Sequence, residues 1–198
     1  MIERVCIYCA SSDYVDPVYL SAAYRLGEIL AENSITIVYG GGSAGLMGMT
    51  ANGALSRGGK VIGVIPKFMY ELEWGHPALT EMKIVETMSE RKELMRKDTD
   101  AAIALPGGSG TFEELFETLT MKRLGVYLSP IILMNTKNFF VPCIQLLEKA
   151  VDEKFMDERN RDMWRVVDEP SEIINAIEES PEWSESARNF ATLRKNHK

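Results

Sequence analysis

The strongest constraint on the fold is an alternation of short apolar runs with longer segments of helical periodicity. The runs are continuously apolar, which is typical of strands buried on both faces of a parallel sheet. The predicted strands are residues 4–10, 35–39, 60–65, 101–105 and 130–134, and the predicted helices are residues 17–33, 45–57, 88–97, 111–125 and 138–151. This order predicts an α/β fold with a Rossmann-like, doubly wound, mostly parallel sheet of six or seven strands and helices on both faces.

The remaining segments complete one domain over residues 1–180, followed by a polar C-terminal tail, 181–198, in which Trp183 and Phe190 are candidate docking points. Residues 66–87 interrupt the pattern and are expected to form a pocket wall, with a short extended piece at 83–85. The charged run 152–162 is expected to be a solvated helix face. An edge strand at 164–167 and a helix at 171–179 are expected to follow.

Charge and hydropathy exclude two classes of partner. The 22 Lys and Arg residues against 29 Asp and Glu give a net charge of −7 with no basic stripe, so a nucleic-acid polymer is not an expected partner. No apolar run approaches the roughly 18 residues that a membrane span needs. Because a strand-like run begins almost at once, without a basic leader or cleavage signal, we expect a cytoplasmic location.

The cysteines and histidines do not indicate a metal or redox site. Cys6 and Cys9 stand at i and i+3 of a predicted strand and should point to opposite faces, which favours buried thiols over a reactive pair. Cys143 is expected in the core, and His76 and His197 lack the spacing of metal ligands. No metal and no cofactor is therefore expected.

Two predicted strands run into glycine clusters that open helices, at residues 40–48 and 107–111. Such turns let backbone N–H groups approach an anion at a helix N-terminus, although any tight turn also favours glycine. The first cluster fits a dinucleotide fingerprint through Gly40, Gly42 and Gly45, but the acidic residue expected about 20 positions on is absent, and no P-loop occurs. Two clusters in one sheet favour a nucleotide-type ligand.

Glu114 permits two interpretations. Thr111 and Glu114 have the spacing of a capping box, in which the glutamate only closes the start of a helix. Alternatively, a carboxylate beside a phosphate cradle suits chemistry that generates positive charge. Arg91 lies 23 residues earlier, and the two residues flank one predicted strand, so both side chains can reach the same edge of the sheet.

Two motifs together resemble one family. Residues 106–114 read Pro-Gly-Gly-Ser-Gly-Thr-Phe-Glu-Glu and match P-G-G-x-G-T-x-x-E, and residues 88–95 match its partner motif around Arg91 and Lys92. Over residues 2–180 the chain resembles the LONELY GUY family of cytokinin-activating phosphoribohydrolases, formerly labelled lysine decarboxylases. The motifs offer no Schiff-base lysine in a pyridoxal pocket, which argues against the older label.

The resemblance implies hydrolysis of the N-glycosidic bond of a purine nucleoside 5′-monophosphate, AMP or a cytokinin nucleotide, in at least a homodimer. It implies that Arg91 and Glu114 are catalytic. The substrate-binding residues that we assign on the resemblance and on the two glycine clusters are Gly41, Gly42, Gly45, Glu73, Lys92, Gly108, Ser109, Gly110, Thr111 and Thr120. Segments 71–79 and 121–123 differ from typical members.

The same residues suit this chemistry physically. Cleavage of a ribosyl C–N bond develops an oxocarbenium-like cation, which a carboxylate stabilises. The departing purine gathers negative charge, for which an always protonated arginine is an electrostatic partner. The alternative is a non-catalytic carrier of a nucleotide or of the molybdenum cofactor, whose fold and glycine motif are similar; the joint presence of Arg91 and Glu114 favours the enzyme.

Overall fold

The computed structural model describes residues 1–72 and 74–193, which form seven strands and seven α-helices in alternation. The strands are β1 (Arg4–Tyr8), β2 (Thr36–Tyr39), β3 (Val61–Pro66), β4 (Glu81–Val85), β5 (Ala101–Ala104), β6 (Ile131–Met134) and β7 (Trp164–Val167). The α-helices are α1 (Pro17–Glu32), α2 (Gly45–Ser56), α3 (Lys67–Glu71), α4 (Met88–Arg96), α5 (Ser109–Arg123), α6 (Val141–Asp152) and α7 (Ile173–Glu178). Short 3₁₀ helices lie at Thr136–Asn138, Glu158–Met163, Pro170–Glu172 and Glu185–Asn189.

All seven strands pair in parallel in the order β4-β3-β2-β1-β5-β6-β7. The doubly wound α/β fold predicted from the sequence is thereby confirmed. The direction of winding reverses between β1 and β5, and ligands of such folds bind beyond the carboxyl ends of the strands at this point. The sequence places a glycine cluster after β2 and another after β5, on either side of this point.

Two hydrophobic clusters cover the two faces of the sheet. Along β1, Val5 and Ile7 face the cluster formed with α1, α2 and α7, whereas Cys6 and Tyr8 face the cluster formed with α4, α5 and α6. Cys9 belongs to the first cluster, so the two thiols of the C-x-x-C lie on opposite faces. Both are buried, and they have the structural role expected from strand geometry.

Several boundaries differ from the sequence-based expectations. Residues 66–87 contain helix α3 as well as β4, which begins two residues before the predicted extended piece. The charged run 152–162 is a turn followed by a 3₁₀ helix instead of a helical face. Helix α5 begins at Ser109, two residues before the predicted start, and this difference changes the interpretation of Glu114 below.

The end of α5 anchors the segment that follows residue 180. The indole N–H of Trp183 donates to the carbonyl oxygen of Lys122 at 2.6 Å. The Lys122 ammonium is buried and donates to the carbonyl oxygens of Leu128 and Ser129. Burial lowers the pKa of Lys122 from 10.5 to about 8. The docking role expected for Trp183 is confirmed. Within residues 1–72 and 74–193, no helix has the length and apolarity that a bilayer span requires.

Candidate active site

The loop after β1 connects the two glycine clusters at the carboxyl edge of the sheet. The N–H of Ala10 donates to the carbonyl oxygen of Pro106, directly before the second cluster, at 3.2 Å. The carbonyl oxygen of Ala10 accepts from the N–H of Met47, in the first turn of α2, at 3.1 Å. The two clusters therefore lie on either side of the loop after β1, at the edge of the sheet where the ligand crevice of such folds lies.

At the first glycine cluster, a side chain of the protein already occupies the N-terminus of α2. Gly41 and Gly45 have φ angles of +76° and +58°, which favour glycine. The N–H of Gly45, which opens α2, donates to the Asp13 carboxylate at 2.7 Å. Because this carboxylate already lies at the N-terminus of α2, a phosphate there would meet a like charge. Gly42 forms a β-bridge to Gly75 and lines the crevice.

The second cluster leaves its helix N-terminus open. Helix α5 begins at Ser109, and no side chain of the described residues caps it. Gly108, Ser109 and Gly110 are exposed, and a methyl group added at Gly108 or Gly110 would meet nothing within 4 Å. The first N–H groups of a helix have no intrahelical partners, so this turn can accept an anion.

The capping-box interpretation of Glu114 is wrong. Gly108 is the N-cap residue of α5, so Thr111 lies inside the first turn and Glu114 in the second. Thr111 is buried beneath the loop, where a methyl group added to Gly107 would lie 2.1 Å from its hydroxyl oxygen. The Glu114 side chain is thus available for another role.

Glu114 forms a buried ion pair with Arg91 of α4. Nη1 of Arg91 donates to Oε1 of Glu114 at 2.9 Å, and the two residues are 4% and 3% exposed. Nε of Arg91 donates to the carbonyl oxygen of Val64 in β3 at 3.1 Å, which fixes the guanidinium plane. Among the described residues, only Arg91 donates a hydrogen bond to this carboxylate, and Oε2 remains available.

Arg91 also contacts the first glycine cluster. A methyl group added to Gly40 would lie 2.0 Å from Nη2 of Arg91, so the guanidinium lies directly against the Gly40 backbone. This close approach explains why a glycine follows β2. Arg91 therefore contacts both the first glycine cluster and Glu114 of α5. The second glycine cluster forms the N-terminus of that same helix.

The environment of Glu114 raises its pKa from 4.5 to about 7. Burial is the main cause, because it disfavours the charged carboxylate, while Arg91 opposes the effect. Near neutral pH the group is therefore divided between its two protonation states. A carboxyl group of this kind can stabilise a cation when ionised and can exchange a proton with water.

The ion pairs continue along α4 and α5 beyond Arg91. The Lys92 ammonium bonds to Glu113 and lies 3.4 Å from Glu117, and Arg96 donates to Glu117 at 2.6 Å. The carboxylate of Glu113 raises the pKa of Lys92. Lys92 thus adjoins the catalytic candidates but is engaged by two carboxylates.

A cleft of about 330 Å³ lies beside the first glycine cluster, with Gly40 in its wall. The apolar side chains that line it belong to Met47, Ile65, Met69 and Trp74, and Ser11 and Ser43 add hydroxyl groups. Sequence reasoning missed Ser11 and Asp13. Their position directly after β1, at the reversal of strand order, is the signal that could have identified them.

Two predicted substrate residues lie apart from this crevice or outside the description. Thr120 is exposed on α5 six residues beyond Glu114, about 9 Å further along the helix axis at 1.5 Å per residue. Within one chain it does not adjoin the open N-terminus of α5. Glu73 lies outside the described residues. In the described part of the chain, no group of three or more His, Cys, Asp or Glu side chains is arranged to hold a metal ion.

Comparisons with known proteins agree with the motifs. The family described as "Possible lysine decarboxylase" matches residues 47–177. The chain is 39% identical over 184 residues to the cytokinin riboside 5′-monophosphate phosphoribohydrolase LOG7 of Arabidopsis thaliana, covering 92% of this chain and 85% of that protein. It is 40% identical over 177 residues to the probable cytokinin riboside 5′-monophosphate phosphoribohydrolase LOGL2 of Oryza sativa, covering 89% and 72%.

Solved structures share the fold at lower identity. The molybdenum cofactor carrier protein of Chlamydomonas reinhardtii superposes with a TM-score of 0.68 at 20% identity, covering 90% of this chain and 97% of that one. The molybdenum cofactor binding protein of Rippkaea orientalis gives 0.68 at 17% identity, with coverages of 90% and 96%. At such identities the likeness concerns the fold alone. On its match to the family model over residues 47–177 and its similarity to phosphoribohydrolases over 72% and 85% of their lengths, the chain belongs to the LONELY GUY family.

Proposed function

We propose that this protein hydrolyses the N-glycosidic bond of a purine nucleoside 5′-monophosphate, either AMP or a cytokinin riboside 5′-monophosphate. Water adds to C1′ of the ribose, the C1′–N9 bond breaks, and the base leaves with a proton, giving free base and ribose 5-phosphate. The observation that carries the proposal is the buried pair of Arg91 and Glu114 beside an uncapped helix N-terminus. The names of the related proteins support the same reaction.

The 5′-phosphate binds at the start of α5, where Gly108, Ser109, Gly110 and Thr111 offer backbone N–H groups and the helix dipole favours an anion. The N-terminus of α2 is the poorer candidate, because the Asp13 carboxylate already accepts the N–H of Gly45. In this arrangement Gly41, Gly42 and Gly45 shape the crevice on the base side. Binding energy from the phosphate then orients the reacting bond.

Glu114 acts on the ribose. Its ionised form stabilises the positive charge that develops at C1′, as carboxylates do in glycosidases. Because Oε1 is held by Arg91, the free Oε2 is the oxygen that faces the reacting atoms or the attacking water. A pKa of about 7 also allows the group to take up the proton that the water loses.

Arg91 acts through its fixed charge. The guanidinium is held by the Val64 carbonyl and by Glu114, against the Gly40 backbone that borders the cleft. A positive charge at this depth favours the negative charge that gathers on the departing purine. It also keeps the pKa of Glu114 from rising further.

The remaining assignments complete the proposal. Lys92 balances Glu113 and Glu117 beside the phosphate site. Thr120 faces away from this crevice and serves a site only through a second copy, which agrees with an expected homodimer. Glu73 is kept as a substrate contact on the family motif alone. Cys6, Cys9 and Cys143 are free thiols, which agrees with a cytoplasmic location.

A carrier function is the weaker alternative, because the fold likeness to molybdenum cofactor proteins says nothing of a shared activity. Incubation with a panel of nucleoside 5′-monophosphates, followed by chromatographic detection of free base, tests the proposal. We expect base release from AMP or from N6-substituted AMP, and much less from the nucleosides. Tight binding of these nucleotides without any base release would contradict the enzyme and favour the carrier.

A further inference from the structure

Trp74, in the segment 71–79 that differs from typical family members, lines the cleft together with the first glycine cluster. Trp74 stands at the mouth of the cleft and is 53% exposed, beside the apolar side chains of Met69, Met47 and Ile65. A half-exposed indole on an apolar cleft offers a large flat surface that a ligand can cover.

The backbone around Trp74 is held firmly although its side chain is not buried. The carbonyl oxygen of Trp74 accepts from the N–H of Ser43 at 3.1 Å, and the N–H of His76 donates to the carbonyl oxygen of Gly41 at 2.9 Å. Nδ1 of His76 accepts from the N–H of Ala78, so Nε2 carries the hydrogen that bonds to Oδ1 of Asn52 at 3.0 Å. The indole is therefore presented from a fixed position against the first glycine cluster.

The cleft suits the base side of a nucleotide better than its phosphate side. None of its lining residues within the described chain is cationic, and Asp13 lies close by at the N-terminus of α2. Its volume of about 330 Å³ is at the small end of the range for ligand pockets, which suits a base with a modest substituent but not a whole nucleotide. Gly40 borders both the cleft and Arg91, so a base in the cleft lies near the charge that assists its departure.

Building on the proposed function, we propose that Trp74 determines specificity by packing against an apolar substituent on the purine. The substituent extends from the base toward the mouth of the cleft, where the indole and the Met69 side chain enclose it. Unsubstituted adenine leaves the indole face uncovered. Trp74 therefore acts on the preference between substituted and unsubstituted nucleotides, and not on the bond-breaking step.

The test compares AMP with N6-benzyl-AMP in the parent protein and in Trp74→Ala. Loss of one aromatic contact is expected to lower kcat/KM for N6-benzyl-AMP roughly tenfold, mainly through KM, and to change kcat/KM for AMP less than about threefold. Trp74→Phe keeps an aromatic face and should retain most of the preference. Tyr70→Ala is the matched control, since Tyr70 is also exposed but lines the neighbouring groove with His76 instead of this cleft.

Equal losses for both nucleotides in Trp74→Ala, or no loss for either, would overturn the assignment. If the parent protein releases no base from either nucleotide, the proposed function fails, and a titration with 6-benzylaminopurine then decides the Trp74 assignment alone. Tryptophan fluorescence quenching that is present in the parent protein and lost in Trp74→Phe would support the contact. Unchanged quenching in Trp74→Phe would exclude it, because the signal would then arise from Trp164 or Trp183.

Discussion

Replacement of Glu114 by glutamine separates the charge of this side chain from its shape. The pKa of Glu114 is about 7 in the fold against an ordinary value of 4.5, so the folded state binds more protons than the unfolded state between these pH values. The contribution of the neutral carboxyl group to the free energy of unfolding is fully present below about pH 4.5 and is lost as the pH rises to 7. The loss amounts to about 3 kcal/mol.

Glutamine cannot ionise and does not suffer this loss. Relative to the parent protein, Glu114→Gln should therefore gain stability between pH 4.5 and 7 and keep the gain at pH 8. For a chain of this length the gain corresponds to a relative increase in Tm of roughly 6–12 °C. At pH 8 the same variant should lose about 10²-fold or more in kcat, because an electrostatic contact to the transition state is removed.

The assay pairs melting curves at pH 4.5 and pH 8 with nucleotide cleavage at pH 8. Glu28→Gln is the matched control. Glu28 is a surface carboxylate whose pKa is lowered by hydrogen bonds from Arg25 and Arg57. Its replacement should therefore shift stability relative to the parent protein in the opposite direction as the pH rises. If the Tm difference between Glu114→Gln and the parent protein does not change with pH, burial does not raise the pKa of Glu114 as described. Turnover within threefold of the parent protein would remove Glu114 from the chemistry.

Five further outcomes follow from the same structure. If the ionised form of Glu114 is required, kcat should rise with pH through an apparent pKa near 7, measured as a pH profile of base release. Gly40→Ala should lower kcat by roughly tenfold or more, since its methyl group would displace Nη2 of Arg91; a normal rate in the folded variant would contradict that contact. AMP should exceed adenosine in kcat/KM by on the order of 10²-fold through the phosphate anchor, and comparable values would refute it. Because burial lowers the pKa of Lys122 to about 8, the stability of Lys122→Met relative to the parent protein should fall as the pH rises from 8 to 10.5, which melting curves would show. A homodimer of the 22.2 kDa chain is expected by light scattering, against which a stable monomer would count.

The sheet could be predicted because its central strands are continuously apolar and end in glycine or in a polar turn. Strand β4 was only partly found, since Glu81 and Lys83 interrupt its apolar pattern at an exposed edge of the sheet. Helix α3 has five residues, too few to show a helical period. Tertiary contacts determine whether β4 and α3 form, and such contacts leave no pattern in the local sequence.

The candidate site could likewise be predicted only in part. The contact between Arg91 and Glu114 could be anticipated because the two residues flank one strand, which places both side chains at the same edge of the sheet. Their catalytic assignment came from the family motifs. The capping error arose because helix starts are uncertain by a few residues, and a start at Ser109 moves Glu114 into the second turn. Asp13 was missed because its partner, the N–H of Gly45, lies 32 residues away, so that no local motif links the two residues.

The separation between Arg91 and Trp74 has an evolutionary consequence. Arg91 is enclosed by β3, α5 and the end of β2, so a change to any of its neighbours disturbs packing as well as chemistry. Trp74 stands on an exposed excursion whose backbone is held by main-chain hydrogen bonds, which survive replacement of the side chain. Surface substitutions usually change stability by less than 0.5 kcal/mol. Descendants of this chain can therefore acquire new base preferences through single, thermodynamically neutral steps while the reaction itself stays under strict selection.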